Sequence, residues 1–402
     1  MRIALVHDQI AEFGGAERVL ISLKKAYPQA DVYTSFVDKE RLGDHWKHFT
    51  DWNIIQSWAS KIPYFSKLYS PLRFLLPLIW NSFDLSSYDV VICSSSWGMC
   101  KGVSLRSSKF QVPNSKKQIS DTQELNIKHL ELNTHNSKPR YICYLHTPPR
   151  YLYGYDESSL KKYWPVKLYA LIVNHFLRQY DYQSSQTIDQ FIFNAQEIRS
   201  RSLKFYRRDG IVIHPPIIGQ SPIIKIDPDN KQEYYLSVSR LAPTKHFDLI
   251  INAANKKGFR LKIVGNGKEY KALKAIAGPT VELLGGVSDE NLHKLYANAK
   301  AFIYASVNED FGMVPVEAMA HGVPVIAYAS GGVKETVADN RNGFLYTKLT
   351  EDAIIESVNK LESLPVDKYQ QMQHKAKLFA QSCNEEIFIE KIQKLLSTFS
   401  TK

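Results

Sequence analysis

Short, continuous apolar runs recur along this chain, and segments that read as helices lie between them. Residues 3–7 (IALVH) form the first run, and residues 16–26 form the helical segment that follows. Runs that are apolar throughout, rather than at every second residue, are typical of parallel strands buried on both faces. A chain that alternates such strands with helices folds into βαβ units around a doubly wound sheet. The pattern therefore predicts an α/β fold.

The alternation occurs in two separate sets. The predicted strands are at residues 3–7, 31–35, 90–94 and 141–146 in the first set, and at residues 234–239, 259–264, 281–284, 301–305 and 323–327 in the second. A length of 402 residues suits two domains of ordinary size. We therefore predict two Rossmann-like domains that face each other across a cleft, which is a common place for a ligand.

The domain boundaries follow from the segment between the two sets. The first domain is predicted to span residues 1–217 and the second residues 218–382, with residues 218–231 as the linker. A C-terminal helix over residues 383–402 is expected to pack back on the first domain. Residues 105–138 are rich in serine, lysine, asparagine and glutamine, which predicts an exposed insertion in the first domain.

Cysteine content and apolar runs indicate the compartment. The four cysteines are too few and too scattered for a disulfide framework, and none forms the C-x-x-C pair of a zinc site. The first residues read as a strand and lack the charged and apolar regions of a secretory signal. No run approaches the roughly 18 apolar residues that span a bilayer. We therefore expect a cytoplasmic protein.

The net charge of +11 and the pI near 9.2 suit an anionic partner, such as phosphates or anionic lipid. The chain shows no nucleic-acid-binding motif, so nucleic acid is not an expected partner. Residues 54–80 mix aromatic side chains with Lys61, Lys67 and Arg73. This stretch either docks peripherally at the inner face of the cytoplasmic membrane or forms a buried helix pair over the first sheet.

Residues 309–317 (EDFGMVPVE) place two glutamates eight positions apart around a glycine turn. Pro315 fits the first turn of a helix, where its missing N–H costs nothing. Three backbone N–H groups are expected to point into the cleft beside the positive end of that helix, those of Phe311, Gly312 and Met313. Such a site can hold a sugar and its phosphate, with Glu309 and Glu317 accepting hydrogen bonds from hydroxyls. The alternative, that the glutamates only favour the helix dipole, fits Glu317 better than Glu309.

Residues 309–337 resemble the signature of the family 4 retaining glycosyltransferases, which have the GT-B fold. The E-x7-E spacing, the run A-M-A-x-G-x-P-V-I and the turn at Gly331 and Gly332 all match. Five segments match in the family's order, along nearly the whole chain outside residues 105–138. The resemblance implies that the N-terminal domain binds an acceptor and the C-terminal domain binds a nucleotide sugar.

Two basic residues follow the predicted strand at residues 234–239. Arginine offers a planar fork and lysine a point charge, so Arg240 and Lys245 together can grip a diphosphate. Taken alone, the pair would be better interpreted as two solvated surface charges. The resemblance implies instead that it stabilises the leaving diphosphate.

Two glycine turns match further segments of the family. Gly14 and Gly15 precede the first helix, where small residues let the backbone approach a phosphate. Gly265 and Asn266 match the family's turn near the nucleotide base, although the residues alone indicate only a turn.

His146 ends the predicted strand at residues 141–146, so its side chain is expected to face the cleft rather than a core. A lone histidine is usually structural, but the resemblance implies a position beside the donor sugar. Residues 148–151 (Pro-Pro-Arg-Tyr) continue this segment and resemble a bacterial O-antigen and capsule mannosyltransferase subgroup. That subgroup implies GDP-mannose as the donor.

Asp227 and Asp229 mimic the D-x-D metal site of the other large glycosyltransferase fold. They lie in the predicted linker around a turn-forming proline, so we interpret them as a turn. If Arg240 and Lys245 neutralise the diphosphate, no divalent metal is needed. We expect neither a metal nor a cofactor besides the donor.

The expected function is that of a retaining hexosyltransferase in surface polysaccharide and lipopolysaccharide assembly. It would move mannose from GDP-mannose to a lipid-diphosphate-linked saccharide, by electrostatic stabilisation of the departing diphosphate and the sugar cation. The expected catalytic residues are His146, Glu309, Arg240 and Lys245. Glu309 is the nearest candidate nucleophile, and same-face attack of the acceptor is the alternative. The other functions considered are a UDP-sugar transferase, a GT-B epimerase or phosphorylase, and an inactive nucleotide-sugar-binding assembly subunit.

Overall fold

The computed structural model describes residues 1–104, 138–155, 163–217 and 234–400. In these ranges the chain has two parallel sheets flanked by helices, which confirms the predicted α/β fold with two Rossmann-like units. The predicted linker lies outside the described residues, and so does the predicted insertion apart from Lys138. The domain boundary at residue 217 therefore stays a prediction.

The first sheet has seven parallel strands in the order β3-β2-β1-β4-β5-β6-β7. Its strands are β1 Ile3–His7, β2 Asp31–Thr34, β3 Ile54–Gln56, β4 Val90–Ser95, β5 Arg140–Leu145, β6 Gln190–Phe193 and β7 Gly210–Val212. The helices of this part are α1 Gly15–Ala26, α2 Lys39–Leu42, α3 Phe65–Leu68, α4 Leu76–Asn81, α5 Trp164–Gln186 and α6 Gln196–Tyr206. The strand order reverses between β1 and β4, which is the place where open α/β sheets bind ligands.

The second sheet has six parallel strands in the order β10-β9-β8-β11-β12-β13. Its strands are β8 Tyr234–Val238, β9 Leu261–Val264, β10 Val281–Gly285, β11 Ala299–Tyr304, β12 Val325–Tyr328 and β13 Gly343–Tyr346. The helices of this part are α7 Phe247–Lys257, α8 Tyr270–Ile276, α9 Asp289–Ala297, α10 Met313–Ala320, α11 Val333–Thr336, α12 Glu351–Glu362, α13 Val366–Gln381 and α14 Glu385–Ser400. Here the order reverses between β8 and β11.

The last helix follows the second half of the chain, which carries the second sheet, but it packs against the first half, which carries the first sheet. Phe388, Ile392 and Leu396 of α14 are buried in the same apolar cluster as residues of β1 and α1. Ser22 of α1 donates a hydrogen bond of 2.6 Å to Glu385 at the start of α14. The apolar face of α14 is therefore buried in the core around the first sheet, although the helix follows the second sheet in the chain.

Residues 54–80 do not form the buried helix pair, which was one of the two alternatives, and peripheral docking at a membrane stays a prediction. They form the edge strand β3, short 3₁₀ turns and the helices α3 and α4, rather than one helix pair. Phe65, Tyr69 and Trp80 are buried in the core, whereas Trp58 and Tyr64 are exposed. Among the described residues, no helix is both long and apolar enough to cross a membrane.

Candidate functional site

The residues that the sequence singled out follow the carboxyl ends of parallel strands in both sheets. Gly14 and Gly15 follow β1, His146 follows β5, Arg240 and Lys245 follow β8, Gly265 and Asn266 follow β9, and Glu309 follows β11. Loops at that edge bind ligands in doubly wound folds, since helix N-termini converge there. The structure sorts these residues into three groups of direct contacts.

The first group is built around the carboxylate of Glu309. Its Oε2 accepts hydrogen bonds from Lys245 Nζ at 2.6 Å, from the hydroxyl of Tyr304 at 2.8 Å and from the hydroxyl of Ser306 at 2.8 Å. Burial opposes ionisation, but Lys245 and the two hydroxyls outweigh it and lower the pKa of Glu309 to about 2. An ionised carboxylate held in this way is a weak base and an acceptor for hydroxyl groups.

The second group lies where the two halves of the chain touch. Met313, at the start of α10, lies so close to Gly15 that a Cβ on Gly15 would come 2.5 Å from the Met313 sulfur. Arg18 of α1 forms an ion pair with Glu317 of α10. Gly312 precedes α10 with a φ of +88°, a left-handed conformation that favours glycine. The side chain of Phe311 is buried, and the centroid of its ring lies 5.0 Å from that of His214. A ligand could therefore contact Phe311 through its main chain but not through its side chain.

The third group surrounds His146, which differs from its expected orientation. The residue is only 9% exposed, because it sits between the ends of neighbouring strands instead of pointing into an open cleft. Its Nε2 lies 2.8 Å from Ser94 Oγ, and that hydroxyl lies 3.1 Å from Nδ1 of His7. Burial lowers the pKa of His146 to about 3. The imidazole is therefore neutral near pH 7 and serves as a hydrogen-bonding group rather than a cation.

Arg240 does not join the Lys245 group in this structure. Its side chain is 75% exposed, and its guanidinium lies 3.8 Å from Glu12 of the other half. The segment that carries it packs on the turn at Gly265, where the Leu241 N–H donates to the Asn266 carbonyl at 2.9 Å. Any Cβ on Gly265 would overlap the Ser239 carbonyl. Two segments that the sequence identified separately thus form one unit.

Several residues at the site were missed by sequence reasoning. They are His7, Arg18, Ser94, Arg150, Arg201, Tyr304, Ser306 and Asp310. His7, Ser94 and Ser306 lie at or just after strand ends, which is the signal that would have found them. Arg201 lies inside α6, and no local pattern marks it.

In the parts of the chain that the structure describes, no group of three or more His, Cys, Asp or Glu side chains is placed so that it could hold a metal ion. Asp227 and Asp229 lie outside those parts. The expectation of a metal-free reaction therefore stays a prediction.

We expect full turnover in excess EDTA, because Arg240 and Lys245 are available to balance the diphosphate charge. The measurement is donor consumption with EDTA, with and without added Mn²⁺ or Mg²⁺. A loss of activity that either cation restores would contradict the prediction.

Comparison with known proteins identifies the class. Residues 223–379 match the model of the family Glycosyl transferases group 1. The chain is 25% identical over 396 residues to the alpha-1,3/1,6-mannosyltransferase ALG2 of Kluyveromyces lactis, which covers 84% of this chain and 71% of that protein. It is 37% identical over 108 residues to a GDP-mannose-dependent alpha-mannosyltransferase of Mycobacterium tuberculosis, covering 27% of this chain and 28% of that one.

Solved structures have a similar fold. Anabaena HepE in complex with UDP superposes with a TM-score of 0.66 and 19% identity, covering 99% of this chain and 100% of HepE. The lipopolysaccharide outer core galactosyltransferase WaaB superposes with a TM-score of 0.64 and 16% identity, covering 99% of each chain. The chain is a glycosyltransferase of the GT-B type, and its second half carries the match to the group 1 family.

Proposed function

We propose that this glycosyltransferase moves mannose from GDP-mannose onto a lipid-linked saccharide, with retention of configuration, during surface polysaccharide assembly. The observation that carries the transferase chemistry is the Lys245–Glu309 group beside α10, where an ionised carboxylate and a cation lie 2.6 Å apart. The donor is supported by two relatives, the alpha-1,3/1,6-mannosyltransferase ALG2 and the GDP-mannose-dependent alpha-mannosyltransferase.

In the proposed mechanism the second half binds the donor and the first half binds the acceptor. Glu309 accepts hydrogen bonds from donor sugar hydroxyls, and Lys245 and the two hydroxyls beside it lower its pKa to about 2, so it enters the reaction as a carboxylate near neutral pH. Lys245 and Arg240 stabilise the charge that develops on the leaving diphosphate. The hydrogen bonds that occupy Glu309 make it a poor nucleophile, so same-face attack by the acceptor is the step we favour. The acceptor oxygen bonds to the anomeric carbon as the bond from that carbon to the diphosphate breaks, and the leaving phosphate takes the proton of the acceptor hydroxyl.

A donor screen tests this proposal. GDP-mannose, UDP-glucose and UDP-N-acetylglucosamine are each incubated with the enzyme, and donor hydrolysis is followed. We expect GDP-mannose to be consumed fastest. Faster consumption of a UDP-sugar would show that this UDP-sugar, and not GDP-mannose, is the donor. Binding of all donors without any turnover would favour a binding subunit.

The lipid-linked acceptor is supported by an apolar surface on the first half of the chain. The long helix α5, which sequence reasoning did not identify, exposes Trp164, Leu171 and Phe176 at 74%, 68% and 64%. Tyr169 of α5 hydrogen-bonds to the carbonyl of Pro71. That contact joins α5 to the segment of α3 and α4, which exposes further large apolar side chains, namely Tyr64, Leu68, Phe74 and Leu78.

The charge around this surface favours an anionic bilayer as its partner. Residues 54–80 and 163–180 contain no aspartate or glutamate, in a chain that has 40 acidic residues. Exposed lysines lie among the apolar side chains at Lys61, Lys67 and Lys167. Apolar groups that insert in the headgroup layer, together with cations that add about 1 kcal/mol each near an anionic surface, suit peripheral docking.

We expect the triple substitution W164S/L171S/F176S to weaken binding to anionic liposomes by about 100-fold. Burial of roughly half of each side chain in the headgroup layer contributes on the order of 1 kcal/mol, or about 3 kcal/mol for the three together. Co-sedimentation across a salt series is the measurement. The matched control replaces exposed apolar residues of the second half, V366S and L378S, and should sediment like the wild type. A wild type that stays in the supernatant at low salt would exclude the membrane, and a soluble acceptor would become the better proposal.

A further inference from the structure

The loop that carries Glu309 is held from the opposite half of the chain. Asn308 and Asp310 flank Glu309, and both contact arginines of the first half. The carbonyl of Asn308 accepts hydrogen bonds from Arg150 Nη2 at 3.2 Å and from Arg201 Nη2 at 3.4 Å. The main chain on the N-terminal side of Glu309 is therefore fixed by two guanidinium groups.

The carboxylate of Asp310 binds the same two arginines, one with each oxygen. Arg150 Nη2 lies 2.6 Å from Oδ2, and Arg201 Nη1 lies 2.8 Å from Oδ1. The side chain of Arg201 is only 3% exposed, and it also donates from Nε to Glu197 at 3.0 Å. Hydrogen bonds between charged groups are stronger than neutral ones, and more so where water is excluded.

The other side of the loop rests on its own sheet. The Gly332 N–H donates to the Glu309 carbonyl at 2.9 Å, and a Cβ on Gly331 would overlap that same carbonyl. Asn308 has a φ of +55°, which is unusual for a residue other than glycine. A left-handed residue persists where its surroundings hold it, and here both halves of the chain supply those surroundings.

Helix α6, which carries Arg201, is fixed to the second half at another point. The Glu335 carboxylate of α11 accepts hydrogen bonds from the backbone N–H groups of Gln196 at 2.7 Å and Glu197 at 2.8 Å. This carboxylate caps the free N–H groups of the first turn of α6 and offsets the positive end of its dipole. Arg201 is therefore presented to Asp310 from a helix that the second half already holds.

We propose that Arg150 and Arg201 are positioning residues that orient Glu309 toward the donor sugar when the two halves meet. This inference rests on the proposed contact between Glu309 and the sugar. Because the arginines bind the residues before and after Glu309, their loss frees the main chain of the loop while Lys245, Tyr304 and Ser306 remain. The carboxylate is then ionised but misplaced.

The test compares Arg150→Ala and Asp310→Asn with the wild type. Arg199→Ala is the matched control, because Arg199 lies on the same helix as Arg201 but pairs with Asp209 of its own half. Arg150 is a suitable first target because its side chain is 34% exposed, which makes misfolding less of a concern than at the buried Arg201. Rates are measured with the donor that the screen identifies, and titration calorimetry gives the affinity for the donor and for its nucleoside diphosphate.

We expect kcat to fall about 10- to 100-fold in both variants, since small displacements of a catalytic group have effects of this size. Affinity for the nucleoside diphosphate, which has no sugar for Glu309 to contact, should change less than twofold. The double variant R150A/D310N should be no slower than the slower single variant, and Arg150→Lys should recover part of the rate.

Two outcomes overturn the inference. An unchanged kcat at saturating donor, together with a larger radius of gyration, would show that the arginines only hold the two halves together and do not orient Glu309. Equal losses of affinity for donor and nucleoside diphosphate would show a general defect of the donor site. A wild type that turns over no donor would instead contradict the proposed function, so the two failures are distinguishable.

Discussion

Replacing Lys245 by alanine is expected to lower turnover by about 10²–10³-fold while the fold stays intact, which is the effect of removing one preorganised contact to developing charge. Lys245 lies at 2.6 Å from Glu309 and is the cation of the first group of site residues. Steady-state rates with saturating donor are the measurement. Lys256→Ala is the control, because Lys256 is an exposed lysine of the same half that pairs with Glu351 and Asp352.

The same substitution has a second signature in the pH profile. Lys245 contributes to the low pKa of Glu309, so its removal raises that pKa from about 2 toward or beyond the ordinary 4.5. Residual activity of the variant should therefore fall as the pH drops toward 5, where the wild type keeps Glu309 ionised. If the variant's activity were instead reduced by the same factor at every pH, Lys245 would not be the group that keeps Glu309 ionised.

Arg240→Ala is expected to lower turnover strongly as well, although its guanidinium is exposed and lies near Glu12 in this structure. The reason is its place after β8, five residues before Lys245, where the resemblance assigns both to the diphosphate. Near-normal rates in a well-folded R240A/K245A enzyme would end the diphosphate assignment.

The largest effect on stability is expected at a buried ion pair. Lys101 follows β4 and Asp181 lies on α5, and both side chains are fully buried in contact with each other. Tyr153 also donates to Asp181 at 2.8 Å. Replacing Lys101 by alanine leaves an uncompensated carboxylate in the core, so the free energy of unfolding should drop by about 3–5 kcal/mol. Denaturant titration with a fluorescence readout is the measurement.

Two controls separate charge from packing at this pair. K101M/D181L removes both charges at similar volume and should recover most of the loss, because apolar replacements of buried pairs are often neutral. Lys294→Ala breaks an exposed pair with Glu290 and should leave stability nearly unchanged, because water already solvates both charges. A loss below 1 kcal/mol in Lys101→Ala would contradict the prediction. The pair also fixes α5, which carries the proposed membrane surface.

The sequence by itself determined the strands that are buried on both faces. β1, β4, β8, β11 and β12 consist mainly of apolar residues, a pattern that is typical of buried parallel strands. It also predicted the loop position of Glu309 and the helix of Glu317, because a glycine and a proline at that spacing fix the turn between them. The α/β fold with two Rossmann-like units followed from these local signals.

Four short strands, three of them at sheet edges, had no comparable signal. β3 and β7 have three residues each, and β6 and β13 have four. Each of these strands has only two or three apolar residues beside a glycine or a glutamine, a pattern that turns and helix ends share, so their pairing partners decide that they are strands. The helix-pair alternative for residues 54–80 was wrong for a related reason, because buried and exposed side chains follow each other there within several short elements.

Tertiary structure alone decided how the site residues meet. Arg150 and Asp310 are 160 positions apart, and Arg18 and Glu317 are 299 apart. Each pair joins two chain halves whose helical and strand patterns are independent of each other. The same holds for His146, whose orientation depends on Ser94 and on the strands beside it rather than on its own segment. Local sequence fixes where a side chain leaves the backbone, and only the packing of the two sheets fixes which charge it then faces.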